Sequence, residues 1–124
     1  MNEDLKSSMF EYYHQRAPEF DGVYLGGGPA SISDPQAYRD EVTVLADIVK
    51  RTCARELVDI ACGTAFWLPH YAGNCTHITL LDQSSEMLTA AQARATSVGV
   101  ADHTTVLSGD ALTHDFGQAQ FDTA

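Results

Sequence analysis

The chain has 124 residues, 44% of them hydrophobic and 19% charged, with 17 acidic against 7 basic side chains for a formal charge of −10. This length supports one core that buries about two-thirds of the surface exposed by the unfolded chain, and it leaves no room for two ordinary domains or for disorder throughout. Residues 57–124 carry seven carboxylates against a single base, Arg94, and residues 1–56 contain no Lys/Arg run, which sets nucleic acid and anionic membranes aside as partners.

Residues 1–33 read as an N-terminal arm. A short helix is expected around Leu5–Arg16, followed by Pro18 and then by Gly26-Gly27-Gly28-Pro29, which no helix or strand interior tolerates. The acidic opening Met1-Asn2-Glu3-Asp4 has no basic, apolar signal pattern, and no stretch approaches the ~18–20 apolar residues of a membrane span. Ser33 or Asp34 caps the next helix, Pro35 fits its first turn, and Tyr38, Val42, Leu45, Val49 and Cys53 recur at helical spacing over residues 35–54.

Leu57–Ala61 reads as a buried strand ending in Cys62-Gly63. A helix follows, with Phe66, Trp67, Leu68 and Tyr71 as candidates for its buried face and Pro69 in its first turn. His77–Leu81 is a second strand that ends at Asp82. Ser84 caps a helix whose Leu88, Ala91, Ala95 and Val98 share a face and which Gly99 terminates. Thr104–Leu107 is a third strand, and Phe121–Ala124 begins a fourth. This alternation specifies an α/β fold: a Rossmann-like parallel sheet with helices on both faces, incomplete at three strands plus the start of a fourth. The expected division is an arm or lid over 1–33 and a ligand-binding half-domain over 34–124. Cys53, Cys62 and Cys75 are odd in number and contain no Cys-x-x-Cys pair, which fits free thiols in a cytoplasmic protein. Cys75 and His77 are expected to pack, not to bind metal.

In such a sheet, ligands bind beyond the carboxyl ends of the strands. Those ends carry Asp59 with the turn Ala61 to Ala65, Asp82, and Asp110 with Ala111. Gly63 lets backbone approach a ligand closely, and Asp82 follows the turn by about the twenty residues at which a carboxylate accepts ribose hydroxyls. A dinucleotide fingerprint needs glycine at the positions of Ala61, Gly63 and Phe66. Only Gly63 complies, which argues against a nicotinamide cofactor.

At these residues the sequence resembles the class I S-adenosylmethionine-dependent methyltransferases, over about Tyr12 to Ala124. The likeness rests on Val58-Asp59-Ile60-Ala61-Cys62-Gly63-Thr64, on Leu81-Asp82-Gln83-Ser84-Ser85-Glu86-Met87-Leu88 and on Gly109-Asp110-Ala111. The resemblance implies S-adenosylmethionine as cofactor. It places Asp59 near the methionine ammonium and wraps the Ala61, Cys62 and Gly63 backbone around the amino-acid portion. It sets Asp82, with Gln83 beside it, on the ribose, Met87 against the adenine, and Asp110 and Ala111 at the exocyclic amine. It also implies a lid helix carrying Tyr12, Tyr13 and Arg16. Ala61 and Ala65 stand where the family often has glycine, and alanine at 65 calls for a different backbone angle or an outward-shifted cofactor. Structural alternatives stand beside these roles: Asp59 and Asp110 as turn residues, Asp82 as a helix cap, Met87 as core filler. The implied activity is methyl transfer to a small-molecule acceptor, with no catalytic residue assignable. The alternative is a non-catalytic cofactor-binding or regulatory subunit. In either case the expectation is a truncated piece of a longer enzyme, or a homo-oligomer or complementing chain that covers the open sheet edge along Leu57–Ala61.

Overall fold

A computed structural model describes residues 3–16, 34–118 and 120–124, without the side chains of Tyr13, His14 and Arg16. The glycine-rich 26–29 segment and the lid roles of Tyr13 and Arg16 lie outside the described residues. Helix α1 (Glu3–Arg16) starts with Glu3 and Asp4, whose charges suit the positive end of the helix dipole. Helix α2 (Pro35–Thr52) is capped by Asp34, not Ser33: its Oδ1 accepts the Ala37 N–H at 3.0 Å. The inward edge of α2 runs through the half-buried Tyr38, Val42, Ala46 and Val49. That spacing leaves Leu45, expected on the buried face, on the flank and 49% exposed beside Val44 and Ile48.

Strands β1 (Arg55–Ile60), β2 (Cys75–Asp82) and β3 (Thr104–Ser108) form a parallel sheet in the order β1-β2-β3. The first two begin earlier than the apolar pattern indicated. Ala61 falls in the turn after β1 instead of in the strand, because its φ of 55° is left-handed. Register places Asp59 beside Leu80 and Leu80 beside Val106, so the three strand ends are level.

Between β1 and β2, the helical segment is a single turn, α3 (Leu68–Tyr71), with Pro69 in its first turn and Leu68 and Tyr71 buried. Phe66 and Trp67 precede it and remain half-buried, packed edge to face at 5.0 Å. Helix α4 (Ser85–Val98) is capped by Ser84, whose Oγ accepts the Met87 N–H at 3.3 Å, and it ends at Gly99, whose left-handed φ of 86° closes two terminal carbonyls. Its inward residues are Met87, Leu88, Ala91 and Ala95. Val98, expected among them, is 36% exposed at the helix end.

The main core lies where α3 and α4 meet the sheet: Leu57, Leu68, Tyr71, Ile78, Leu80, Leu88, Ala91 and Ala95 form one buried cluster, with Val49 of α2 against it. Alternation along the strands sends Val58, Thr79 and Leu81 to the other face, where they are also buried. Beyond β1, the expected fourth strand is a parallel bridge between Leu57 and Thr123. The Val58 N–H donates to the Thr123 carbonyl at 3.0 Å, and the Asp122 N–H donates to the Glu56 carbonyl at 2.7 Å. The Thr123 hydroxyl accepts from the Ala54 N–H at 3.3 Å and donates to the Ala54 carbonyl at 3.2 Å. Among the described residues, pairing on this edge stops at Val58, and Ile60 is 43% exposed. No described helix is long and apolar enough to cross a membrane.

Candidate functional site

The three level strand ends open into a cavity of about 730 Å³, lined by Ala61 and Gly63 after β1, by Leu81, Asp82, Gln83, Ser84 and Met87 at the β2–α4 junction, and by Gly109, Asp110, Ala111 and Leu112 after β3. Its roof comes from Lys6, Met9 and Phe10 of α1. Seven of the twelve residues singled out in the sequence therefore share one wall: Ala61, Gly63, Asp82, Gln83, Met87, Asp110 and Ala111. Tyr12, Cys62 and Asp59 are not part of this lining. Tyr12 is 53% exposed on α1, and Cys62 is buried beneath the turn, where burial and the nearby Asp59 and Asp82 charges push its thiol far up and keep it protonated. The roof residues Lys6, Met9 and Phe10 were missed. The available signal was the i, i+3, i+4 spacing of a cation and two large apolar side chains on an otherwise polar helix.

The turn after β1 has a repeated backbone geometry. Ala61, Gly63 and Ala65 have φ of 55°, 57° and 57°, so the two alanines occupy the conformation that glycine adopts at little cost. Long-range bonds hold it there: the Cys62 N–H donates to the Leu81 carbonyl at 3.0 Å, and the Gly63 N–H donates to Asp82 Oδ2 at 2.9 Å. A left-handed alanine costs about 1–2 kcal/mol. Ala61 is exposed, so Ala61→Gly is expected to raise stability by about 0.5–1 kcal/mol after the extra chain entropy of glycine, read as a higher denaturation midpoint at unchanged slope. Ala65 is fully buried, so the same change there loses packing and brings no gain.

Asp82 joins two elements at the centre of the site. Its Oδ2 takes the Gly63 N–H, its Oδ1 takes the Ser84 N–H at 2.9 Å, and its carbonyl takes the Gly109 N–H at 3.0 Å. A carboxylate offers about four lone-pair directions, so each oxygen still has room for a ligand hydroxyl. Asp110 repeats the local device, with Oδ1 accepting the Leu112 N–H at 2.9 Å. Thus both aspartates shape backbone and also face the cavity.

Asp59 is engaged elsewhere. Its Oδ2 accepts the Tyr71 hydroxyl at 2.8 Å. Burial raises its pKa above the ordinary carboxylate value, the Tyr71 bond pulls it partly back, and the Asp82 charge adds to the rise. Burial and the Asp59 charge hold the Tyr71 phenol protonated as the donor. Because the folded-state pKa of Asp59 is raised, its contribution to stability is fully present below the unfolded-state value and is lost as pH rises through the folded one. Asp59→Asn keeps an acceptor for Tyr71 and removes the charge. The variant is therefore expected to melt above wild type at pH 7, with the advantage vanishing as pH falls through the carboxylate range in a series of thermal melts.

Among the described residues, no cluster of three or more His, Cys, Asp or Glu side chains is placed to hold a metal ion. Residues 57–124 match the family model described as a methyltransferase domain. No curated protein matches the sequence. Among solved structures, the 4+2 cyclase SpnF aligns with TM-score 0.70 at 23% identity over 92% of this chain and 46% of its own. The DhpI–SAM–HEP complex aligns at 0.63 and 24% identity over 89% and 45%, and the DhpI–SAH complex at 0.62 and 23% over 88% and 47%. At such identities the likeness is one of fold, and the chain spans less than half the length of each of these structures.

Proposed function

Because the chain belongs to the methyltransferase-domain family, we propose that it supplies the cofactor-binding half of an S-adenosylmethionine-dependent enzyme that methylates a small molecule. The observation that carries this reading is the convergence of all three strand-end segments on one cavity, with Asp82 and Asp110 on its wall. The residues present fit the cofactor. Asp82 keeps spare acceptor directions for ribose hydroxyls, and Asp110 Oδ2, which has no partner among the described residues, is open to an amine N–H. Met87 offers an apolar surface to the base, while Ala61 and Gly63 bring backbone to the amino-acid end.

Bound there, the cofactor supplies a sulfonium that already activates its methyl group for displacement by a nucleophile. What remains for the protein is alignment and exclusion of water. The wall fixes the cofactor, and Met9 and Phe10 of the α1 roof limit water above it. A cytoplasmic setting belongs to the same proposal, since the three free thiols suit a reducing compartment. So does completion of the β1 edge beyond Val58, by a second copy or a complementing chain. This is supported by the open Ile60 and is testable by sedimentation, where a stable, well-folded monomer counts against it.

Calorimetric titration with S-adenosylhomocysteine tests the reading. Saturable one-to-one binding is expected, with no competition from NAD. A folded protein that binds none favours instead a regulatory module that works through its sheet edge. Binding without methyl transfer to any acceptor favours a module that holds the cofactor without catalysis.

A further inference from the structure

Arg94 is the one base in residues 57–124, and it plays no part in the cavity lining. It sits in the third turn of α4, and its Nη1 donates to the Thr64 carbonyl at 3.0 Å and to the Thr64 hydroxyl at 3.4 Å. Its guanidinium carbon also lies 5.9 Å from the centre of the Phe66 ring, which in turn packs on Trp67. Thr64 is 3% exposed and lies between Gly63 and Ala65, two of the three left-handed residues of the turn.

The turn is therefore gripped from two elements. The end of β2 holds it through Leu81 and Asp82, and α4 holds it through Arg94. Left-handed alanines persist only where the surroundings over-determine them. A planar guanidinium is well suited to that task, because one of its nitrogens reaches both the carbonyl and the hydroxyl of Thr64 while the plane lies near the Phe66 ring.

We propose that Arg94 is a positioning residue for the cofactor: it clamps the Ala61 to Ala65 turn through Thr64, so that Ala61 and Gly63 present their backbone at the geometry the ligand requires. The proposal rests on the reading of the cavity as a cofactor site.

Its test compares wild type, Arg94→Met and Arg94→Lys by S-adenosylhomocysteine calorimetry, thermal unfolding and amide hydrogen exchange. Methionine keeps much of the aliphatic packing without a donor, so the dissociation constant is expected to rise roughly tenfold. Exchange at Cys62 to Ala65 should quicken while the β2 amides stay protected. Lysine keeps a charged donor without the planar group beside Phe66 and should recover part of the affinity. A lower melting temperature with an unchanged dissociation constant in Arg94→Met overturns the proposal, since Arg94 is then only structural. Absence of binding by wild type sinks the cofactor reading instead. Exchange then decides for the clamp, which is overturned if Cys62 to Ala65 are equally protected with and without Arg94. Should Arg94→Met fail to fold, equal protection of those amides in Arg94→Lys and wild type overturns it as well.

Discussion

Asp82→Ala is expected to abolish measurable binding of S-adenosylhomocysteine and to lower stability by about 2–4 kcal/mol. The stability loss follows from two backbone donors, the Gly63 and Ser84 N–H groups, that lose a charged acceptor at 2.9 Å each. Hydrogen bonds to charged groups contribute about 1.5–3 kcal/mol each, and partial access of water to this half-buried site offsets some of the loss. The binding loss has two sources: the ribose acceptor is removed, and the turn that carries Gly63 is no longer tied to β2. Together these predict at least a ~100-fold rise in the dissociation constant. Asp82→Asn separates the two. Its carbonyl replaces one acceptor but turns an NH2 toward the other N–H, so a folded variant with intermediate stability and strongly reduced affinity is expected in paired calorimetry and denaturation. Wild-type affinity in either variant removes Asp82 from the ligand.

Leu80→Ala is expected to cost about 3 kcal/mol, read as a lower denaturant midpoint at unchanged slope. Leu80 is fully buried on the middle strand of the described sheet, with Asp59 and Val106 as its register partners, and its side chain belongs to the cluster that joins the sheet to α3 and α4. Truncation leaves a cavity that β2, bonded to a strand on each side, cannot shift to fill. Typical domains hold only ~5–15 kcal/mol in total, so a loss of this size removes a large share. Leu112→Ala is the control: at 90% exposure it should change stability by no more than ~0.5 kcal/mol. A small effect at Leu80 would contradict the sheet order.

Much of the architecture was readable without coordinates because it depends on near neighbours. Asp34, one of two expected caps, Ser84 as a cap, Gly99 as a terminator and the apolar runs of the three strands act within a few residues of themselves, and the structure places them as expected apart from the earlier starts of β1 and β2 and the loss of Ala61 from β1. The gathering of Ala61, Gly63, Asp82 and Asp110 on one wall was also legible, since parallel strands of similar length bring their ends level, and the family resemblance added Met87. The alternation of strands and helices and the identity of the strand-end residues were thus determined by the sequence alone.

Tertiary packing decided the rest, because it concerns which distant group a side chain meets. Asp59 stands near the carboxyl end of its strand as Asp82 does, yet Tyr71, 12 residues on, captures its carboxylate where α3 folds back on the sheet. Lys6, Met9 and Phe10 roof the cavity only because α1 packs against α4, which is remote from it in the chain. Ala61 and Ala65 would not choose left-handed backbone by themselves. Bonds from Leu81, Asp82 and Arg94, which lie 19 to 30 residues away from their partners, hold the turn in place. Local preference is a matter of about a kilocalorie per residue, and several long-range hydrogen bonds acting together outweigh it.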